Sequence, residues 1–313
     1  MLIVLLAEKV KQKAHELGFQ KIGFARAEYL EEEAEKLNKW LSKGFHAGMA
    51  WMAREPEKRC DPRLLFPPVK TIISVAMNYY TPYEHNEAQN QGKISRYAWG
   101  EDYHNLLRNR LNDLLEFIKT LDPEAEGKIC VDTSPILEKA WAVKAGLGWI
   151  GKHSNLITKD YGSWVFLGEI LINVEIQDET KIEPDHCGSC RACIDACPTG
   201  AIVEPYVVNS NLCISYATIE SRDPEISEEV ADRMQKWLYG CDICQEVCPW
   251  NRFQKPSAEE AFKPRYGTTI DLDEIMALGP RDYQLKFQGS PMKRAKLEGL
   301  KRNARAIMRK SKD

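Results

Sequence analysis

Cys187, Cys190, Cys193 and Cys197, the last followed by Pro198, are spaced C-x2-C-x2-C-x3-C-P. This is the spacing of an iron–sulfur run. Three thiolates within one short turn reach three corners of a cubane, and the fourth, before the proline, is turned toward a second cluster. A shorter run, Cys241-x2-Cys244-x3-Cys248-Pro249, follows, with Cys213 alone between the two. Four, one and three thiols make the eight that two [4Fe–4S] clusters require. The exchange of the fourth cysteine gives the pairing. Cys187, Cys190, Cys193 and Cys248 hold one cluster, and Cys197, Cys213, Cys241 and Cys244 hold the other, Cys213 standing in for the thiol that regular spacing would place at Leu238. A zinc ribbon also uses C-x2-C pairs, but it needs only four ligands and no Cys-Pro endings. A disulfide framework needs an oxidising compartment, to which nothing in the chain points.

Two clusters alone would make a ferredoxin-type electron carrier, which needs about a quarter of 313 residues. The 180 or so residues before the first cysteine of the runs therefore imply a second centre. It is not a dinucleotide site of the usual kind. Gly146-Leu-Gly148-Trp-Ile-Gly151 is formally G-x-G-x-x-G, but it follows a helical pattern and precedes a strand, the reverse of the fingerprint's context, and no P-loop lysine motif is present.

The elements that would position these groups are legible in part. Residues 7–17, 29–42 (Leu30, Ala34, Leu37 and Leu41 on one face) and 103–121 (Leu107, Leu111, Leu114, Leu115, Ile118) have helical periodicity. Strands are expected at 21–25, 69–79, 128–131, 152–157 and 163–174. Three prolines make 61–68 a loop, and 81–93 reads as a surface loop. Ser134 suits the N-cap and Pro135 the first position of a helix ending near Gly146. A charged helix is expected at 220–238 and a last one opening at Ser290 and Pro291. The fold class is α+β: a catalytic α/β domain (1–178), a ferredoxin-like two-cluster domain (179–255) and a basic, mainly helical C-terminal segment (256–313).

Composition, with 43% hydrophobic and 28% charged residues, is that of a globular chain. The apolar start is broken by Glu8 and Lys9 and does not read as a secretory signal; no apolar run approaches the roughly 20 residues of a membrane span. A cytoplasmic monomer without membrane contact is expected. Net charge is −3, but residues 281–313 hold eleven Lys/Arg against three Asp/Glu. Lys293, Arg294, Lys296, Lys301, Arg302 and Arg305 crowd the last helix, with Leu297, Leu300, Ala304 and Ile307 on its apolar side. This is a candidate polyanion contact, or else a solvated face.

Several stretches closely resemble the epoxyqueuosine reductase family: Arg59-Cys-Asp-Pro-Arg-Leu-Leu-Phe-Pro67, Ser95-Arg-Tyr-Ala-Trp-Gly-Glu-Asp-Tyr-His104, Val131-Asp-Thr-Ser-Pro-Ile-Leu-Glu-Lys139, Gly146 to Asn155, and both cysteine runs with Asn211-Leu-Cys-Ile-Ser-Tyr216 between them. The resemblance spans about residues 10–310 and stops short of the C-terminal helical-repeat domain of longer members. It implies a cobalamin enzyme, with cob(II)alamin at rest, that reduces the epoxide of epoxyqueuosine at the tRNA wobble position to queuosine. An external low-potential donor would feed electrons through the two clusters. The resemblance places the proton donor at Asp132. From its own surroundings, at the end of an apolar strand, desolvation would raise its pKa, or it would cap the next helix. Arg59, Arg96, Tyr97, Lys152, His153, Asn155, Ser215 and Asp242 lie in the matching motifs and are the candidate cobalamin contacts. His46 and His104 are further candidates for a corrin amide or phosphate, and Cys60 and Cys130 read as small buried apolar residues. The rival readings are a reductive dehalogenase-like corrinoid enzyme acting on a small organic substrate and a non-catalytic electron carrier.

Overall fold

The computed structural model describes residues 2–310. At its centre lies a four-stranded sheet in the order Lys21–Arg26, Thr71–Asn78, Val165–Ile172, Gly127–Cys130, every pair antiparallel. The Thr71–Asn78 strand is buried along its whole length, as expected of a nearly unbroken apolar run with layers on both faces. Ile73, Val75 and Met77 meet Ala7, Val10 and Ala14 of the helix Leu2–Glu16 and Leu107, Leu111 and Leu114 of the helix Tyr103–Leu121. Ile72 and Ala76 point the other way, toward Ala34 and Leu37 of the helix Glu31–Ser42 and Trp141 of the helix Glu138–Lys144. Burying a Leu or Ile side chain contributes about 1.5–3 kcal/mol, so these two apolar layers hold the sheet in place.

A second sheet knits distant segments. Gln91–Ile94, within the stretch expected as a loop, pairs in parallel with Trp237–Tyr239 and antiparallel with Thr269–Asp271. Its core runs from Ile94, Ala98 and Trp99 through Ile214 and Leu238 to Leu300, Ala304 and Ile307. The N-terminal, cluster and C-terminal segments therefore share one interior. The short helices Ala192–Ala196 and Ile243–Glu246, one from each cysteine run, pack together.

Four expected elements differ. The strand expected at 152–157 is extended only at Leu156–Ile157, which pairs antiparallel with Trp149–Ile150. The helix after Val131 begins at Glu138, not at Ser134, and Leu137 at its N-cap makes no side-chain cap. Residues 131–137 instead form a tight turn, with Asp132 at φ +56, a left-handed conformation uncommon for a residue with a Cβ. The 220–238 stretch is helical only at Glu228–Ala231. Pro224 disfavours helix at Asp223, and the carbonyls of Ala217, Ser221 and Asp223 accept hydrogen bonds from the buried Arg302 guanidinium. Pro291–Ala295 is a 3-10 turn, in which Ser290 accepts the Met292 N–H; Lys296 at φ +62 then starts the α-helix to Lys310.

Candidate active site and cluster-binding region

The seven cysteines of the two runs and Cys213 are free thiols, as are Cys60 and Cys130, which lie buried in the apolar core. Where one thiol raises another, the two belong mostly to the same expected quartet. Burial, and then Cys248, Cys187 and Cys190, push the Cys193 thiol up to about 11; Cys248 is raised by burial, Cys187 and Cys190. In the other set, Cys213 is raised by burial and Cys197, and Cys241 by burial, Cys244 and Cys213. Cys244 is raised by burial, Cys213, Asp242 and Cys197, with Cys193 the one neighbour from across the divide. Thiols held this high take up metal only by releasing protons. The donor set fits two iron–sulfur clusters. No three His, Cys, Asp or Glu among the described residues are grouped as ligands of a single metal ion.

The quartets face different surroundings. Cys190 is exposed, and Cys187 and Cys248 pack with Trp149 and Trp250, whose rings meet edge to face at 4.9 Å. All four thiols of the other quartet line a chamber of about 450 Å³. Cys213 also borders a second chamber of about 740 Å³; the two meet at Tyr97, Tyr103, Cys213 and Ser215. Gly240 at φ +72 lets the second run approach the Ser95 turn, where a Cβ would lie 2.4 Å from that of Ser95.

On the wall of the larger chamber Asp132 meets His104. The Nε2 of His104 is 3.0 Å from Asp132 Oδ2, and its Nδ1 is 2.6 Å from Asp102 Oδ1. Asp102 caps the helix Tyr103–Leu121 by accepting the His104 N–H, so the fold itself places this imidazole. The ring stacks on Tyr103 at 4.1 Å. Burial alone would lower the His104 pKa. The hydrogen bonds and charges of Asp102 and Asp132 outweigh it and lift it to about 9, so the imidazole is cationic at neutral pH. Asp132 is 56% exposed on the chamber wall. The desolvation expected from its sequence position is therefore absent, and its polar setting is the imidazolium. Behind it, Glu138 accepts the Asp132 N–H and Arg108 donates to Thr133 Oγ1 at 2.6 Å. Across the chamber Arg294 forks onto Glu220 (2.9 and 2.7 Å).

The candidate cobalamin contacts divide by location. Tyr97, His153, Asn155, Ser215 and Asp242 line the smaller chamber, and Arg59 the larger. His153 Nδ1 accepts the Asn155 N–H (3.2 Å), which leaves Nε2 as a donor, buried and without a partner. Burial, and then Lys139, push this imidazole down to about 4, so it stays neutral. Arg59 donates to the Trp51 carbonyl and leaves its Nε unpartnered. These open donors on chamber walls fit an amide-rimmed ligand such as a corrin. Asp242 accepts from Ser95 Oγ (2.5 Å) and the Arg96 N–H (2.6 Å) and is raised by burial to about 6; it ties the second run to the Ser95 turn. The Arg96 guanidinium lies over Trp99, Tyr80 and Trp164. Lys152 donates to the carbonyls of Gly188 and Cys190 (2.5 and 2.8 Å), the loop of the outer quartet. His46 sits beside Trp40, away from both chambers.

The His104 partnership, Glu138 and Arg294–Glu220 were not read from the sequence. The Asp102-x-His104 pair at a helix start was the available signal for the first. The polyanion reading loses Arg302, which is buried and bonded to backbone carbonyls, and Arg294, which is paired with Glu220. Lys293, Lys296, Arg305 and Arg309 are exposed.

Fold and site together define an iron–sulfur oxidoreductase in which one cysteine quartet opens on an interior chamber beside a carboxylate–imidazole pair. Two family models match: epoxyqueuosine reductase QueG, DUF1730, over residues 59–133, and a 4Fe-4S double cluster binding domain over residues 186–251. An epoxyqueuosine reductase of Cellulophaga algicola is 44% identical over 305 residues, 95% of this chain and 96% of the relative. One of Synechocystis is 46% identical over 278 residues, 88% and 95% of the two chains. A crystal structure of epoxyqueuosine reductase with an epoxyqueuosine-modified tRNA stem loop superposes with a TM-score of 0.92 at 31% identity, over 98% of this chain and 81% of that one. The Streptococcus thermophilus enzyme superposes with a TM-score of 0.89 at 31% identity, over 98% and 82%. The chain belongs to the epoxyqueuosine reductase family.

Proposed function

We propose that this protein reduces the epoxide of epoxyqueuosine in tRNA to the alkene of queuosine, with Asp132 and His104 as the acid. The observation that carries this reading is the His104–Asp132 pair, 3.0 Å apart, on a chamber wall that adjoins the inner cysteine quartet. Cys187, Cys190, Cys193 and Cys248 would hold the outer [4Fe–4S] cluster, and Cys197, Cys213, Cys241 and Cys244 the inner. Tyr97, His153, Asn155 and Ser215 would hold cobalamin. When bound, these groups supply two electrons at low potential to the substrate.

The residues supply the rest. With its pKa at about 9, His104 keeps a proton on Nε2 at the Asp132 carboxylate. The pair delivers it to the leaving oxygen as the C–O bond breaks, a contribution typically worth 10²–10⁴-fold. Asp102 fixes the ring through Nδ1 and stabilises its cationic form. The aromatic rings of Tyr97 and Tyr103 narrow the junction of the chambers. In the turn 131–137, Val131 and Ile136 are anchored in the core while Asp132 and Thr133 are exposed; a Bacillus subtilis relative was solved with its catalytic aspartate loop swung out of the active site. Lys293, Lys296, Arg305 and Arg309 address tRNA phosphates, which position the substrate without reading bases.

The test is anaerobic turnover of an epoxyqueuosine-containing tRNA stem loop by protein loaded with both clusters and cobalamin. One queuosine should form per two electrons consumed. An unchanged epoxide with fully loaded, reduced protein would overturn the assignment.

A further inference from the structure

Two carboxyl groups inside the molecule have no part in the reaction as described so far. Glu169 sits in the strand Val165–Ile172, fully enclosed, with Ser74 opposite it on one side and Cys130 on the other. All three face the helix Glu138–Lys144, because the alternating residues Ile72, Ala76 and Leu171 belong to the core under Trp141. Both Glu169 oxygens, Ser74 Oγ and Trp141 Nε1 are buried without a hydrogen-bond partner. A carboxylate left unpaired in such a layer is costly, and the neutral acid is the stable form. Glu138, in the first turn of the covering helix, accepts the Asp132 N–H, so it stands directly behind the acid of the active site.

Reducing an epoxide to an alkene breaks two C–O bonds and consumes two electrons and two protons, and the oxygen leaves as water. His104 and Asp132 hold one proton between them. We propose that Glu138, with Glu169 behind it, is an internal proton store that recharges Asp132 with the second. This rests on the reaction assigned above. The store fills from solvent through Asp132, which is exposed on the chamber wall while the chamber is open. A macromolecular substrate seated over the chamber closes that route, and both protons must then be on board. Glu138 acts through Asp132 and is a positioning residue in this scheme.

The electrostatics agree with the placement. Glu169 is held well above the carboxylate range by burial and then by Glu138. Glu138 is raised to about 7 by burial and then by Asp132, against the Asp132 N–H, Lys139 and His104. Cys130, raised by burial to about 11, and Tyr103 are the other titratable groups facing the pair; both stay neutral. Glu138 holds its proton below neutral pH and loses it as pH rises through about 7, whereas Glu169 stays protonated.

Two variants and two readouts test this. Glu138→Gln keeps an oxygen for the Asp132 N–H but cannot titrate, and Glu169→Gln keeps the shape of the neutral acid. Infrared difference spectra of the loaded protein in H2O and D2O should show protonated carboxyl groups at neutral pH. One band should vanish in Glu169→Gln, and the component titrating near pH 7 should vanish in Glu138→Gln. In single turnovers of pre-reduced protein, the parent rate should fall as pH rises through about 7. Glu138→Gln should lose that limb and be slowed about 10²-fold, with cluster and corrin spectra unchanged. A parent without a protonated carboxyl band, or a Glu138→Gln variant with the parent's pH profile, overturns the proposal. If the parent leaves the epoxide intact, the reaction assignment fails, and the infrared arm still decides whether the two carboxyls hold protons. If Glu138→Gln does not fold, the parent's spectra and the Glu169→Gln variant decide it.

Discussion

An imidazole placed between two carboxylates holds its proton more tightly than free histidine, and the site's pH response follows from that. Asp132→Asn should retain both clusters and cobalamin yet lose about 10²–10⁴-fold in turnover, measured under anaerobic multiple-turnover conditions; full activity would leave Asp132 only a structural place in its turn. His104→Gln can donate to only one of the two carboxylates and holds no titrating proton. Beyond the fall through about 7 assigned to Glu138, parent activity should fall again as pH passes about 9, and the variant should lack that second limb. The sequence marked Asp132 as the candidate acid through its motif, whereas its partner could not be read there. Its strand-end position suggested desolvation. The structure gives it an exposed carboxylate beside His104, 28 residues earlier in the chain, and a contact across that separation leaves no local pattern to read.

Cysteine spacing made the two-cluster region legible because cluster chemistry fixes distances along the chain as well as in space. Chemical reconstitution should give about eight iron atoms per chain. Cys213→Ala should lower that to about four and leave the outer quartet's cluster intact; an unchanged iron count would refute the pairing. Helices with a clear apolar stripe, such as Tyr103–Leu121, were equally legible. The last helix was legible as an amphipathic element, but charge alone did not distinguish its buried guanidinium from its solvated ones. Arg302 donates into Ala217, Ser221 and Asp223, and replacing it by Gln should cost a few kcal/mol of stability in a denaturant titration. Lys296→Gln with Arg305→Gln, both exposed, should instead leave stability unchanged. The pair should weaken tRNA binding and flatten its salt dependence by roughly 0.7–0.9 in log–log slope per lost contact. Equal binding by this variant across a salt titration would make the basic face a solvated one.

For the whole molecule, the titratable groups with shifted pKa values set opposing limits on stability. His153 is depressed to about 4 in the folded chain, and Asp102 is also lowered: burial would raise it, but its hydrogen bond to His104 prevails. Their contributions are present above the ordinary imidazole and carboxylate values and are lost as pH falls toward the folded ones. His104 and Glu138 are raised to about 9 and about 7, so their contributions are complete at lower pH and are lost as pH rises through those values. Thermal unfolding should therefore show its highest Tm near or slightly below neutrality. His153→Gln should flatten the acid limb, and a limb unchanged in that variant would assign it to other groups.

The sheet that joins Gln91–Ile94 to Trp237–Tyr239 and Thr269–Asp271 also dictates a timetable for biosynthesis. At about 5–20 residues per second, a ribosome delivers the third strand about 10–30 s after the first. Until then one edge of Gln91–Ile94 is an unpaired template for other chains, so nascent chains arrested before residue 269 should be protease-sensitive around it and dependent on chaperones. All ten cysteines have been translated before that strand appears. The window for iron delivery therefore opens on the ribosome, while the interior that will enclose the inner quartet is still unsealed.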